Sequence, residues 1–187
     1  MEVIVISMKN IKLIVLGMVT LGAVANVTSV EAATTPSKKE VSVSVKEAIK
    51  IFQKEYPDTD ITSIDLNSSF GKYFYEIESI DDSVEYSAKI DAKSKKISDK
   101  EKDRLDADDR GANKRKEEKL DTKDIISVKK ASDLAIKEVG KGKATDWKLD
   151  RELDTTYWKV TIKNKSKSTE VMIDAKTGDV LSTEIDD

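Results

Sequence analysis

Cysteine and histidine are both absent from the 187 residues of this chain. Without them the chain cannot form a disulfide framework, a zinc site of Cys and His ligands, or a Ser-His-Asp or Cys-His nucleophile. The remaining option for catalysis is carboxylate chemistry assisted by Lys, Tyr, Ser or Thr. Most familiar hydrolase mechanisms are therefore excluded.

The sequence also lacks a long block of one charge. Charged residues make up 37% of the chain and hydrophobic residues 38%, yet the net charge is only -3 because acids and bases are interspersed. This composition predicts a small module with a thin core and a surface that carries both signs. Neither a nucleic-acid footprint nor a polybasic membrane patch is predicted.

The first 32 residues have the layout of a secretory signal peptide. Lys9 and Lys12 precede an apolar run over residues 13–25, and a polar tail ends at Ala32. This order predicts cleavage after Ala32, with residues 23–25 as a weaker alternative site. Met8, followed by a lysine, is an alternative start of the chain.

A retained membrane anchor is the less favoured alternative, because the apolar run is shorter than the roughly 20 residues that span a bilayer. No cysteine follows the run, so bacterial-type lipidation has no acceptor. Export without disulfides is ordinary for Gram-positive bacteria. We therefore expect a secreted or cell-envelope-associated bacterial protein, with a Gram-positive source favoured. Membrane contact is expected only through an uncleaved leader.

The rest of the chain is a tandem repeat. Residues 43–104 align with residues 126–187 without a gap, so that Asp174 follows its counterpart Asp91 by 83 residues. Apolar positions agree throughout, which predicts a duplicated structural unit. We expect a short linker at 33–42, a first unit at 43–104, a charged linker at 105–124 and a second unit at 125–187.

Each unit begins with a predicted helix. In the first unit Ser44 and Glu47 have the spacing of a capping box, and Pro57 ends the run. In the second unit Ser127 is the cap and Gly140 follows the last apolar position. The apolar faces consist of Val45, Ala48, Phe52 and Tyr56 in the first unit, and of Val128, Ala131, Ala135 and Val139 in the second.

Three alternating segments follow each helix and predict antiparallel strands. They centre on Ile64, Tyr75 and Ala88 in the first unit and repeat 83 residues later in the second. A short fourth strand is predicted only at residues 180–181. The fold class is therefore α+β, with two tandem units that each pack one helix on a small antiparallel sheet, preceded by a signal peptide. We expect the units to move independently.

A tight turn ends the third strand of each unit. Asp91 and Asp174 are predicted structural turn residues whose carboxylates bind their own backbone, and Gly178 can take positive φ. In the first unit Lys95 occupies the position of Gly178, which predicts a turn that is longer, looser or strained.

Aromatic residues are the candidates for partner binding. Alternation is expected to place Tyr73, Phe74 and Tyr157, together with Thr156, on the face of the sheet that the helices leave open. An exposed aromatic pair on such a face could contact a partner, and the alternative is that these are ordinary surface residues.

The linker contains a partial match to a calcium loop. Asp106, Asp108 and Glu117 stand at positions one, three and twelve of an EF-hand-like pattern. Arg110 stands at the fifth position, where the ion needs an oxygen. We therefore expect no metal and no cofactor here, and a solvated helix or flexible connector over residues 99–124 instead.

The order of motifs resembles the PepSY domain family. The resemblance rests on the capped helix, on "FYEI" at residues 74–77 and "YWKV" at residues 157–160, and on "IDAKTGDVL" at residues 173–181. The second unit matches along its whole length, and the first lacks the glycine of the turn. PepSY domains occur in propeptides of thermolysin-type metallopeptidases and in bacterial envelope proteins.

This resemblance implies a protein that is not an enzyme and that modulates or inhibits extracellular peptidases. The implied partner is an extracellular or envelope protein, with a peptidase as the leading candidate and no nucleic acid. A small sheet with free edges could capture an extended segment by strand addition. The alternative is a structural or adaptor protein at the cell envelope. Catalysis by a carboxylate pair is disfavoured, because no pair stands out in the sequence.

Overall fold

The structure is a computed structural model that describes residue 36, residues 40–107 and residues 110–186. The predicted signal segment lies outside these residues. Among the described residues, no helix is long and apolar enough to cross a bilayer. In chain order the elements are α1 Val45–Glu55, β1 Asp60–Ser69, β2 Lys72–Ile80, β3 Val84–Asp91, β4 Ile97–Arg104, α2 Ala112–Glu118, α3 Val128–Val139, β5 Lys143–Glu152, β6 Thr155–Asn164, β7 Lys167–Asp174 and β8 Val180–Asp186.

Helices α1 and α3 begin at the predicted caps. The amide of Glu47 donates to Ser44 Oγ at 3.3 Å, and the amide of Lys130 donates to Ser127 Oγ at 3.2 Å. Each bond satisfies one of the amides that a helix start leaves without a partner. Helix α3 ends at Gly140, which has φ of 83°. The two predicted helices are confirmed.

All strands of the described residues lie in one antiparallel sheet, in the order β4-β3-β2-β1-β5-β6-β7-β8. The four strands of each unit therefore form one half of a single sheet, and the two halves join where β1 pairs with β5. The expectation that the units move independently is wrong, because this seam hydrogen-bonds one unit to the other. The paired residues at the seam are Ile64 with Leu149, Asp65 with Lys148, and Leu66 with Trp147.

The seam relates the two repeats by a pseudo-twofold axis. Leu66 and Leu149 are equivalent positions of the repeat, and so are Ile64 and Trp147. Leu66 pairs with Trp147, and Leu149 pairs with Ile64. Asp65 and Lys148 are also equivalent, and they pair directly with each other. A single repeat position thus carries opposite charges in the two units, which makes contact across the axis attractive instead of repulsive.

The core lies between the sheet and the two longer helices. Its largest fully buried side chains include Trp147, Trp158 and Tyr75. Each polar atom of these rings has a partner: Trp147 Nε1 donates to Ser132 Oγ at 2.8 Å, Trp158 Nε1 donates to a carbonyl in the linker to α3 at 3.1 Å, and the Tyr75 hydroxyl donates to the Val43 carbonyl at 2.8 Å. Buried rings with satisfied polar groups fix how each helix sits on the sheet.

Two edge strands differ from the expectation. Residues 99–104, for which a solvated helix or flexible connector was expected, belong to β4, whose side chains are exposed after Ile97. Strand β8 runs to Asp186, well beyond the predicted residues 180–181. Strand β4 was missed and β8 was predicted too short, because charged and polar residues weaken the alternation by which half-buried strands are recognised.

The linker is held against both units. Arg115 Nε on α2 contacts Asp60 Oδ2 at 2.7 Å, which ties the linker to β1. Arg151 on β5 donates to the carbonyls of Lys116 at 3.1 Å and Lys119 at 2.8 Å. The solvated helix is present as α2, which buries none of its residues. In the described part of the linker, these contacts join α2 and Lys119 to β1 and β5 on the two sides of the seam.

Candidate functional site

The two repeated aspartates bind their own turns. Asp174 Oδ1 accepts from the amides of Lys176 and Thr177, both at 2.8 Å, and these bonds lower the pKa of its carboxyl below the ordinary value. Asp91 Oδ1 accepts from the amides of Lys93 at 3.0 Å and Ser94 at 2.6 Å, with the same effect on its pKa. Since β3 and β7 run in opposite directions, Asp91 and Asp174 lie at opposite ends of the sheet and form no pair.

The turn of the first unit has the same hydrogen bonds as its counterpart. The amide of Lys95 donates to the Asp91 carbonyl at 3.0 Å, as the amide of Gly178 does to the Asp174 carbonyl at 3.0 Å. Lys95 has φ of 65° and Gly178 has φ of 82°. Of the three predicted alternatives strain is present, since a side chain occupies the left-handed region, and the turn is not longer.

The aromatic candidates do not form a common surface. Tyr73 packs against the core on the helix-covered face, 6.4 Å from the ring of Trp147, and Thr156 lies on that face beside the linker. Their placement on the open face was wrong, because successive residues of a strand point to opposite faces. Phe74 lies on the open face, where Lys89 Nζ is 5.6 Å from its ring. Tyr157, 8% exposed, also lies outside the core cluster.

The open face at the seam is a charged surface. Asp65 lies between Glu76 on β2 and Lys148 on β5. Burial raises the pKa of Asp65 to about 6; Lys148 opposes this rise, and nearby acids, including Glu78 and Asp150, add to it. Lys148 Nζ is also 3.3 Å from Asp150 Oδ2. Positive and negative groups alternate here, so the surface does not select a ligand of one charge.

A cleft of about 1290 Å³ runs between α1 and α3. Its apolar lining includes Val41, Val45, Ile49, Ile125 and Val128. The cleft is partly open to solvent, and its lining also includes the charged residues Lys46, Lys129 and Asp133. Its larger share is apolar contact area.

The two free edges of the sheet differ in character. On β4, Lys102 Nζ lies 5.6 Å from the ring of Tyr56 and 5.2 Å from that of Tyr86, and Lys100 Nζ is 2.8 Å from Glu55 Oε1. These lysines fold back onto α1 and its neighbours. Charged residues on an edge strand discourage pairing with another chain. The β4 edge is therefore protected.

The β8 edge, Val180–Asp186, carries apolar side chains instead. Val180 is 39% exposed, Leu181 48% and Ile185 64%. In the repeat, Ile185 stands where the first unit has Lys102, and Leu181 stands where it has Ser98. The rings beneath Lys102 are also missing, since Val139 and Thr169 replace Tyr56 and Tyr86. This edge was not predicted as a site, although a comparison of the two repeats would have indicated it.

The partial calcium loop does not assemble in the described residues. Asp106 lies exposed before α2, Glu117 lies exposed within α2, and Asp108 falls outside the described residues. Arg110 Nε donates to the Leu105 carbonyl at 2.9 Å. Within the described ranges, no group of three or more Asp or Glu side chains is placed to hold a metal ion.

The fold, the repeat and the turn motif together define the class of protein. The family model of PepSY, described as "Peptidase propeptide and YPEB domain", matches residues 42–101 and 125–184. The chain therefore belongs to the PepSY family and carries two copies of its domain, which confirms the resemblance seen in the sequence.

A solved structure supports this assignment. The chain is similar to a crystal structure from Clostridium difficile 630 that is provisionally described as a lipoprotein, with 35% sequence identity and a TM-score of 0.75. The similarity covers 80% of this chain and 97% of that one. No curated protein matches the sequence.

Proposed function

We propose that this chain is a non-catalytic binding module of the exported or cell-envelope compartment, which captures an extended segment of another protein as a further strand beside β8. The observation that carries the proposal is the contrast between the two sheet edges. On β4, Lys100 contacts Glu55 of α1 and Lys102 lies over the rings of Tyr56 and Tyr86, whereas β8 leaves Leu181 and Ile185 exposed. An added strand would gain backbone hydrogen bonds and cover these side chains.

The favoured partner is an extracellular peptidase or its precursor. Support comes from the family description, which names peptidase propeptides. A propeptide-like module binds its peptidase and catalyses no reaction of its own. The repeated acids Asp91 and Asp174 fit such a role, because each accepts hydrogen bonds from its own turn and the two lie at opposite ends of the sheet. An adaptor role at the envelope is the second candidate, favoured if the captured segment belongs to a protein without peptidase activity.

Location outside the cytoplasm is supported by the signal-like N-terminus and by the relative described as a lipoprotein. The 187 residues contain no cysteine, so a thioether-linked lipid would have no acceptor among them. We therefore propose export as the route by which this chain reaches the envelope.

The test compares the chain with a variant whose β8 edge resembles β4. Residues 33–187 serve as bait for the secreted and envelope proteins of the same organism, beside the variant Leu181→Ser/Ile185→Lys. Each replacement introduces the residue type that the first unit has at the equivalent position, Ser98 or Lys102. Since both positions are exposed, the variant should still fold. We expect wild type to enrich a peptidase and to lower its activity in a purified assay, and the variant to do neither.

The matched control is Ser98→Lys, which adds one charge at an exposed position of the β4 edge. It should leave capture and inhibition unchanged. Equal capture by wild type and by the β8 variant would show that β8 is not the binding edge. Loss of capture in the β4 control alone would transfer the site to the opposite edge.

A further inference from the structure

Several lysines that are far apart in the sequence lie together at one end of the folded sheet. This basic end consists of the β1–β2 hairpin, the β3–β4 turn, the start of β5 and the β6–β7 hairpin, which meet because β5 runs antiparallel to β1. In the described part of the chain, its exposed lysines outside ion pairs are Lys72, Lys93, Lys96, Lys141, Lys143 and Lys165.

Several acids near this end are engaged, and Asp186, whose backbone pairs with Ser168 at the start of β7, lies there as well. The Asp91 carboxylate accepts two turn amides, and Glu47 Oε1 contacts Lys95 Nζ at 2.7 Å. Asp146 Oδ2 is 4.0 Å from Lys163 Nζ. The six lysines therefore present a positive field that nearby acids offset only in part.

An apolar residue projects from the middle of the basic end. Phe70 forms the tip of the β1–β2 hairpin and is 104% exposed. Phe70 and Gly71 have φ of 49° and 76°, the conformation of a two-residue turn that favours Asn-Gly. A phenylalanine here is both strained and fully hydrated, so neither turn propensity nor packing accounts for it.

The repeat provides an internal comparison. Leu153 occupies the equivalent hairpin tip, is 88% exposed and has φ of 54°. It lies at the opposite end of the sheet, between Glu152 and Asp154. Asp58, Asp60 and Asp82 belong to the same end. Arg115 contacts Asp60 at 2.7 Å and Asp82 at 3.4 Å, and Arg151 contacts Asp154 at 2.9 Å, so these acids are paired with bases. The two apolar tips thus have the same local geometry, but Phe70 lies at the end that carries the six exposed lysines and Leu153 does not.

We propose that the basic end docks this protein on a bilayer surface that contains anionic lipids, with the Phe70 ring inserted among the headgroups and the six lysines facing the phosphates. An aromatic ring surrounded by lysines matches the boundary between acyl chains and anionic headgroups. A polyanion without an apolar layer would leave Phe70 exposed. The opposite end, which carries Leu153, then points away from the surface, and β8 remains accessible along the side of the sheet. The inference does not depend on the β8 proposal.

The experiment measures co-sedimentation of residues 33–187, which include all described residues and omit the apolar leader, with sucrose-loaded vesicles. One set contains phosphatidylglycerol and phosphatidylcholine in equal parts, and the other contains phosphatidylcholine alone. We expect binding only to the anionic set, weakening as salt rises above about 0.1 M. Each lysine at the surface adds about fivefold in binding, so Lys143→Gln/Lys165→Gln should reduce it by about 25-fold.

The variants Phe70→Asn and Leu153→Asn separate insertion from loss of folding, because asparagine suits both turn positions. Phe70→Asn should lower vesicle binding about tenfold and Leu153→Asn should leave it unchanged. Absence of binding to anionic vesicles at low salt, or equal losses in both variants, would overturn the proposal. If the protein is retained on immobilised polyphosphate but binds neither set of vesicles, the partner of the basic end is a soluble polyanion and the membrane proposal is wrong.

Discussion

Replacement of Asp65 by asparagine should stabilise the protein at neutral pH. Asp65 lies at the seam, beside Glu76 and opposite Lys148, and burial raises the pKa of its carboxyl to about 6. A carboxyl with a raised pKa is still ionised at neutral pH, and because the folded state favours its protonated form, this ionisation lowers the free energy of unfolding. Asparagine has the same shape and no charge, so it removes this unfavourable ionisation.

The magnitude follows from the pKa. A rise from 3.8 to about 6 corresponds to about 3 kcal/mol at 1.36 kcal/mol per unit. The side chain of Asp65 is only partly buried, and solvent screening reduces this to about 1 kcal/mol. For a chain of this size, that increase raises Tm by about 3 °C.

The sign of the pH dependence is specific. The folded state binds a proton more tightly than the unfolded chain, so the penalty of Asp65 is fully present above pH 6, declines as the pH falls and is absent below 3.8. The gain from Asp65→Asn should therefore appear in urea unfolding at pH 7.5 and vanish near pH 4.

Asp174→Asn is the matched control. Turn amides lower the pKa of Asp174, so this replacement should destabilise the fold at neutral pH, and its effect should shrink as the pH falls through the lowered pKa. A gain from Asp65→Asn that is the same at both pH values, or a loss of stability at pH 7.5, would refute the reasoning about the seam.

Three further replacements test the turns by thermal and urea unfolding. Gly178→Val should destabilise by about 2 kcal/mol, because the added side chain must adopt φ of 82° and its Cβ would lie 3.1 Å from Leu134 Cδ1; an unchanged midpoint would contradict this. Lys95→Gly should stabilise by about 0.5 kcal/mol, since relief of strain exceeds the loss of an exposed ion pair to Glu47; a clear loss would show that the ion pair dominates. Asp174→Ala should cost about 1 kcal/mol through its two lost amide bonds, and no change would count against the turn assignment.

The features that local chemistry dictates were predictable. Ser44 and Ser127 mark the helix starts because a hydroxyl at this position satisfies a free amide. The repeat offset of 83 residues gave the number of units. Alternation located the buried strands, since only one of their faces contacts the core. The caps and the alternation depend on residues close together in the chain, and the offset depends on comparison of one unit with the other.

The seam, the two edges and the basic end depend on which strands become neighbours. The alternation of Ile64 and Leu66 shows that β1 buries one face, but it does not reveal that its free edge meets β5. The contrast between Lys102 and Ile185 gains meaning only when both lie on sheet edges. Similarly, Lys72 and Lys143 are distant in sequence and come to one end only through antiparallel pairing of β1 with β5. Long-range pairing, not local propensity, therefore positions the candidate surfaces.

Amide hydrogen exchange of the protein with and without its captured peptidase tests the central claim most directly. Mass spectrometry of peptic fragments would compare β8, residues 180–186, with β4, residues 97–104, which is the equivalent edge and serves as the internal reference. Strand addition predicts strong protection of the β8 amides and unchanged exchange in β4. Unchanged exchange in β8 while the complex is saturated would contradict the account.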